Sequence, residues 1–135
     1  MQRVCCYNRV RLRARPSRAR AVRAEAFPGV DRVFVAGATG GCGKEVVRRL
    51  TAEGLSVRAL VRDPGSQAAS SLPGGVELVK GNVAQFSTLQ GKVEGCSHMV
   101  IATGSRPAQN LLGPFEVDFN GTVNLIAVAR RAGVK

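Results

Sequence analysis

The stretch Val35-Ala36-Gly37-Ala38-Thr39-Gly40-Gly41-Cys42-Gly43-Lys44-Glu45-Val46-Val47, VAGATGGCGKEVV, holds four glycines within seven positions. Each glycine costs chain entropy and helix propensity, so such a concentration needs a reason. A hinge, a tight turn and a phosphate cradle all use glycine, and the flanking residues decide among them. Residues 30–36 are short and β-branched, the pattern of a buried strand. Residues 42–53 place Val46, Val47 and Leu50 on one helical face and Lys44, Glu45, Arg48 and Arg49 elsewhere, with Gly54 as a C-terminal stop. A loop entered by a strand and left by an amphipathic helix is not a hinge.

The glycine spacing is GxxGxxG, at Gly37, Gly40 and Gly43. Gly37 allows a sharp turn off the strand, Gly40 lets a pyrophosphate approach the backbone, and Gly43 lets helix and strand pack closely. A helix N-terminus adds unpaired N–H groups and about half a positive charge, which suit a diphosphate. The loop residues Gly37, Ala38, Thr39, Gly40, Gly41, Cys42 and Gly43 are therefore the expected cofactor cradle. A nucleoside-triphosphatase loop would need Ser or Thr after Gly43-Lys44, and this chain has Glu45.

Nineteen residues after Gly43, a second strand over 55–61 ends in Arg62-Asp63. An acid at that strand end favours NAD through the ribose 2′-hydroxyl, whereas an arginine accommodates the NADP 2′-phosphate. Arg62 comes first, so the expected cofactor is NADP ahead of NAD. A solvated strand-end charge is the plainer reading of Arg62.

The rest of the chain continues the alternation. A weak helix is expected over 66–72, a third strand over 76–79 after Pro73-Gly74-Gly75, and a short helix over 87–93 capped by Ser87. A fourth strand follows over 98–102, then a loop over 103–113 with Pro107. A long helix over 115–132 carries an apolar stripe of Phe115, Phe119, Val123, Ile126 and Ala127, read as core. Glu116 and Asp118 at its start and Arg130 and Arg131 at its end suit the helix dipole. Asn120 and Asn124 fit either hydrogen bonds to neighbouring loops or a solvated face. Strands alternating with helices imply right-handed crossovers and a parallel sheet. His98, the sole histidine, reads as structural or solvated.

The 135 residues carry a net charge of +11, unevenly spread. Residues 1–26 hold eight arginines and one acid, while the other 109 residues hold 12 basic and 8 acidic ones. The body is only mildly basic, which argues against a nucleic-acid partner. The Arg- and Ala-rich, acid-poor leader, 1–26, fits an organelle transit peptide, with a basic tail touching nucleic acid or anionic membrane as the alternative. The body, 27–135, is read as one domain. The longest apolar runs fall far short of the roughly 20 residues of a spanning helix, so no transmembrane segment is expected. Cys5, Cys6, Cys42 and Cys96 have no zinc-like spacing. Cys42 reads as a small residue tolerated in the loop, with redox sensitivity at a helix N-terminus as the alternative.

The segments VFVAGATGGCGKEVVRRL, LSVRALVRD, VELVKGNV, HMVIATGS and GPFEVDFNGTVNLIAVARRAGVK together resemble the N-terminal half of an atypical short-chain dehydrogenase/reductase, nearest its NmrA-like and plastid Tic62-like branch. The resemblance covers residues 31–135. It implies a Rossmann-type, doubly wound α/β domain with strand order 3-2-1-4 in the part present. It also implies adenine contacts from Asn82, which stands where the family has Asp, and from Val83. It places Ala102, Thr103 and Gly104 beside the ribose and nicotinamide.

Catalytic members of the wider superfamily use a Tyr-x-x-x-Lys pair, typically after the fifth strand. The only tyrosine here is Tyr7, in the leader. The expectation is a partial domain cut before strand 5 of a longer protein, the alternative being a short protein that only binds. The parent reads as an oxidoreductase. The alternative is a non-catalytic nucleotide-binding module acting in organelle membrane-complex assembly, import or redox sensing, with a membrane-complex protein as partner. Chloroplast is favoured over mitochondrion, and substrate and oligomeric state are left open.

Overall fold

The computed structural model describes residues 29–104 and 114–135. The leader and most of the 103–113 loop, including Pro107, lie outside the described residues. The elements are β1 (Arg32–Ala36), α1 (Gly41–Ala52), β2 (Ser56–Val61), α2 (Gln67–Ser70), β3 (Glu77–Lys80) and β4 (His98–Ile101), then α3 (Gly121–Arg131), entered through a wider π-helical stretch over Pro114–Asn120. The strands form one sheet in the order β3-β2-β1-β4, every pair parallel. This is the expected 3-2-1-4 order.

Side-chain alternation along β1 supplies both cores. Val33 and Val35 point to one face, where Val57, Ala59 and Val47 of α1 meet them. Phe34 and Ala36 point to the other, with Leu60, Leu89, Leu125 and Val128. β1 is buried over Val33 to Ala36 because helices cover the sheet on both sides. α1 ends where expected: Gly54 takes φ +74°, and Leu55 N–H reaches back to Leu50 O at 3.0 Å.

Two expectations fail. Residues 87–93 are not a helix capped by Ser87; a 3₁₀ turn spans Phe86–Thr88 and turns follow, with Gly91 and Gly95 at positive φ. The Thr88 hydroxyl donates toward Gln85 O and Asn82 O, and such local bonds compete with a helical ladder.

The second failure concerns the long helix. Phe115 and Phe119 are each 60% exposed, Val123 51% and Ile126 48%, so the apolar stripe is not core. The face that packs on the sheet carries Gly121, Leu125, Val128 and Ala129. A Cβ on Gly121 would meet Val83 Cγ2 at 2.8 Å, so glycine lets the helix close on the loop after β3. Asn124 Nδ2 donates to Val83 O at 2.9 Å and holds it there. This helix is apolar on two sides, and periodicity alone does not say which one meets the sheet.

The outer edge of β4 is partly occupied. Lys135 N–H donates to Ser97 O at 3.0 Å, and Met99 N–H donates to Lys135 O at 2.6 Å. Among the described residues no helix is long and apolar enough to cross a membrane.

Candidate functional site

In a parallel sheet all strands end on one edge, and the loops leaving that edge share one crevice. Here those loops follow Ala36, Val61, Lys80 and Ile101. β1 is the switch point: the chain runs from it toward β2 on one side and returns to β4 on the other.

The glycines of the first loop do different work. Gly37 takes φ +79°, and a Cβ there would run into the backbone of Ala102 and lie 2.7 Å from Thr103 N. Gly37 therefore allows both the turn and the close approach of the β4 loop, where Ala102 N–H donates to Ala36 O at 2.9 Å. A Cβ on Gly43 would strike Gly37 O and lie 2.9 Å from Ala38 Cα, so Gly43 brings α1 down onto the loop. Gly40 has an ordinary extended conformation, φ −75° and ψ 167°, and its Cβ would meet only Gly37 O, at 3.3 Å. Its own backbone does not demand glycine; space above the helix end is what the missing side chain leaves. Gly41 and Cys42 are exposed there, Thr39 is half-buried, and Ala38 is buried in the core.

The start of α1 is open electrically as well. No side chain caps it and no acid lies in its first turn. Gly40 N–H donates to Gly37 O and Lys44 N–H to Gly40 O. The amides of Gly41, Cys42 and Gly43 have no partner among the described residues. Glu45, the nearest acid, is drawn along the helix by Arg48 and Arg49 at 2.8 Å each. Hydrogen bonds from Arg48, then Arg49, lower its pKa to about 2.

On the β2 side Arg62 is exposed and has no hydrogen bond or ion pair among the described residues. Asp63 is engaged: its Oδ1 accepts from Gly65 N–H at 3.0 Å, and its carbonyl accepts from the Ser66 hydroxyl. After β3, Asn82 Oδ1 accepts from Ala84 N–H at 3.1 Å, and Asn82 N–H donates to Thr88 Oγ1 at 2.9 Å. Val83 packs in the core at 9% exposure, leaving little side-chain surface for a ligand. Thr103, whose amide nitrogen lies by Gly37, is half-buried, and Gly104 is exposed.

The fold thus gathers Gly37, Arg62, Asn82 and Thr103 on one edge. Thr88, Gly121 and Asn124, which shape the third loop, carry no site signal in the sequence beyond the open reading of Asn124. His98 sits at the other end of β4, its Nδ1 3.1 Å from Ser97 Oγ. Among the described residues no metal-ligand cluster exists. Cys96 is a core residue whose thiol pKa is raised, chiefly by burial. A cleft of about 340 Å³, lined by Phe86, Val93, Val128 and Arg131, lies at the far end of α3.

Comparison with known proteins agrees with this geometry. A family profile described as NAD(P)H-binding matches residues 37–135. An uncharacterised chloroplastic protein of Arabidopsis thaliana is 36% identical over 107 residues, covering 77% of this chain and 38% of that protein. Photosystem II assembly factor Ycf39 of Synechocystis is 35% identical over 104 residues, covering 77% of this chain and 31% of the relative. Protein TIC 62, chloroplastic, of Arabidopsis thaliana is 31% identical over 147 residues, covering 88% and 22%. The crystal structure of gox2253 superposes with a TM-score of 0.68 at 27% identity, covering 77% of this chain and 32% of that one. The chain therefore spans well under half the length of these relatives. With a family match over most of its length and a Rossmann sheet beneath it, the chain belongs to the NAD(P)H-binding family, among relatives of the atypical short-chain dehydrogenase/reductase type.

Proposed function

We propose that this domain binds NADP in preference to NAD, with the pyrophosphate over the N-terminus of α1 and the adenosine 2′-phosphate at Arg62. The place of Arg62, first after β2 and with no partner among the described residues, carries the preference. Asp63 comes one residue later and gives Oδ1 to its own turn, accepting from Gly65 N–H, which leaves Oδ2 as its remaining acceptor. Arg62 is an exposed guanidinium, without a partner among the described residues, and suits a phosphate. In this reading the amides of Gly41, Cys42 and Gly43 receive the pyrophosphate, and Ala38 and Thr39 line the loop beneath it. Asn82 offers its Nδ2 donors to the base, with Val83 behind it. Ala102, Thr103 and Gly104 flank the ribose and nicotinamide.

When bound, the cofactor supplies hydride chemistry, and the residues of this chain bind and orient it. The parent is proposed to be an oxidoreductase. The names of the relatives favour a second reading, a non-catalytic module whose bound nucleotide serves assembly of an organelle membrane complex, import or redox sensing. Their names also favour the chloroplast, to which the basic leader would direct the chain. Hydride transfer by a longer form carrying a Tyr-x-x-x-Lys pair supports the enzyme; nucleotide binding without turnover in a longer form lacking that pair supports the module.

Nicotinamide fluorescence during titration with NADPH and NADH tests the binding. Arg62→Ala is expected to weaken NADPH by about tenfold to a hundredfold, the loss of one or two charge-assisted hydrogen bonds, and NADH little. Equal losses would refute the phosphate role. Gly40→Val is expected to abolish both while far-UV circular dichroism stays unchanged. Binding of neither nucleotide by the unaltered chain would overturn the proposal.

A further inference from the structure

We infer, on the cofactor reading above, that Thr88 is a positioning residue for the nucleotide base: acting through Asn82, its hydroxyl fixes the loop after β3 so that the Asn82 amide meets the adenine. The sheet order supplies the place. With the pyrophosphate at the end of β1 and the 2′-phosphate at the end of β2, the base lies farther along the same edge, toward the end of β3. The loop there is docked against β2, because Gly81 N–H donates to Val61 O at 2.9 Å, next to Arg62.

Within that loop both main-chain polar groups of Asn82 are engaged. Asn82 N–H donates to Thr88 Oγ1 at 2.9 Å, and Asn82 O accepts from Gln85 N–H at 2.9 Å. The single proton of the Thr88 hydroxyl is shared between Asn82 O at 3.0 Å and Gln85 O at 2.8 Å. One side chain, carried back by the 3₁₀ turn over Phe86–Thr88, thus both accepts from and donates to residue 82. The Asn82 side chain is oriented as well. Only Oδ1 can accept from Ala84 N–H, at 3.1 Å, which fixes Nδ2 and its two donors on the opposite side of the amide. From α3, Asn124 Nδ2 donates to Val83 O at 2.9 Å and anchors the next residue. Gly81 makes room for the arrangement, since a Cβ there would lie 3.1 Å from Thr88 O. A base-reading side chain ordered before the nucleotide arrives loses little freedom on binding, and that is how preorganisation adds affinity.

Titration of the full chain with NADPH and NADH, read by nicotinamide fluorescence, tests this. Thr88→Val keeps the branched shape and removes the hydroxyl. It is expected to weaken both nucleotides alike, about threefold to tenfold, since both carry adenine and the loosened loop must then be ordered on binding. Thr88→Ser returns the hydroxyl and is expected to restore affinity. In an Asn82→Ala background Thr88→Val is expected to cost nothing further, because it acts through Asn82; a general loosening of the fold would cost the same in both backgrounds. Circular dichroism checks folding, and Thr88→Ala set against Thr88→Ser makes the same comparison if valine is not accommodated. Unchanged affinity on loss of the hydroxyl, an equal loss with and without Asn82, or a loss confined to NADPH overturns the inference and leaves the cofactor reading standing. Binding of neither nucleotide by the unaltered chain overturns both.

Discussion

At the residue scale, glycines seven positions apart or fewer do unlike work. Gly37 sits at φ +79° with its missing Cβ aimed at the Ala102–Thr103 backbone. Gly37→Ala is therefore expected to cost about 2 kcal/mol or more, combining the left-handed penalty with a backbone clash. Gly41 opens α1 with nothing within 4 Å of its would-be Cβ. Gly41→Ala is expected to leave stability unchanged or raise it by up to about 1 kcal/mol. Urea unfolding of the two variants side by side checks both. The loop spacing announced Gly37 and Gly43, because turning off a strand and seating a helix are local needs. The pairing of Asp63 was not legible, since whether a carboxylate faces a ligand or its own turn depends on how residues 63–66 close.

At the element scale, α1 carries an acid-sensitive contact. Glu45 bridges Arg48 and Arg49, and its pKa falls from 4.5 to about 2. A carboxylate lowered in the folded state adds stability above its unfolded pKa and loses it as pH falls through the folded one. Glu45→Gln is thus expected to lower the thermal midpoint at pH 7, with the difference from the parent shrinking below pH about 4.5 and gone near pH 2. Added salt reduces the difference, since the group lies at the surface.

The two apolar sides of α3 make a second contrast. Leu125 is fully buried, so Leu125→Ala is expected to cost about 2–5 kcal/mol. Ile126 is 48% exposed, so Ile126→Ala is expected to cost much less, within about 1 kcal/mol. Thermal melts of the two variants side by side separate them. The helix itself was legible from its periodicity; its inward face was not, because Val83, Gly121 and Asn124 meet only after the chain has crossed the sheet.

At the scale of the whole molecule, β1 is the axis on which both cores are built. It pairs with β2 and β4 and is buried on both faces, whereas β3 is half-exposed at one edge. Amide hydrogen exchange is expected to be slowest along Val33 to Ala36 and fastest along β3, since local opening there breaks fewest contacts. A β3 slower than β1 would contradict this order. The sequence by itself determined the alternation of strand and helix, the parallel order 3-2-1-4 through the resemblance its motifs carry, and the glycine loop, because hydrophobic period and turn chemistry are written in neighbouring residues. Only the tertiary structure decided which side of α3 meets the sheet, that residues 87–93 turn rather than coil, and that Asp63 closes its own turn while Arg62 has no partner among the described residues. Those outcomes depend on contacts between residues far apart in the chain, where packing and competing hydrogen bonds outweigh local preference.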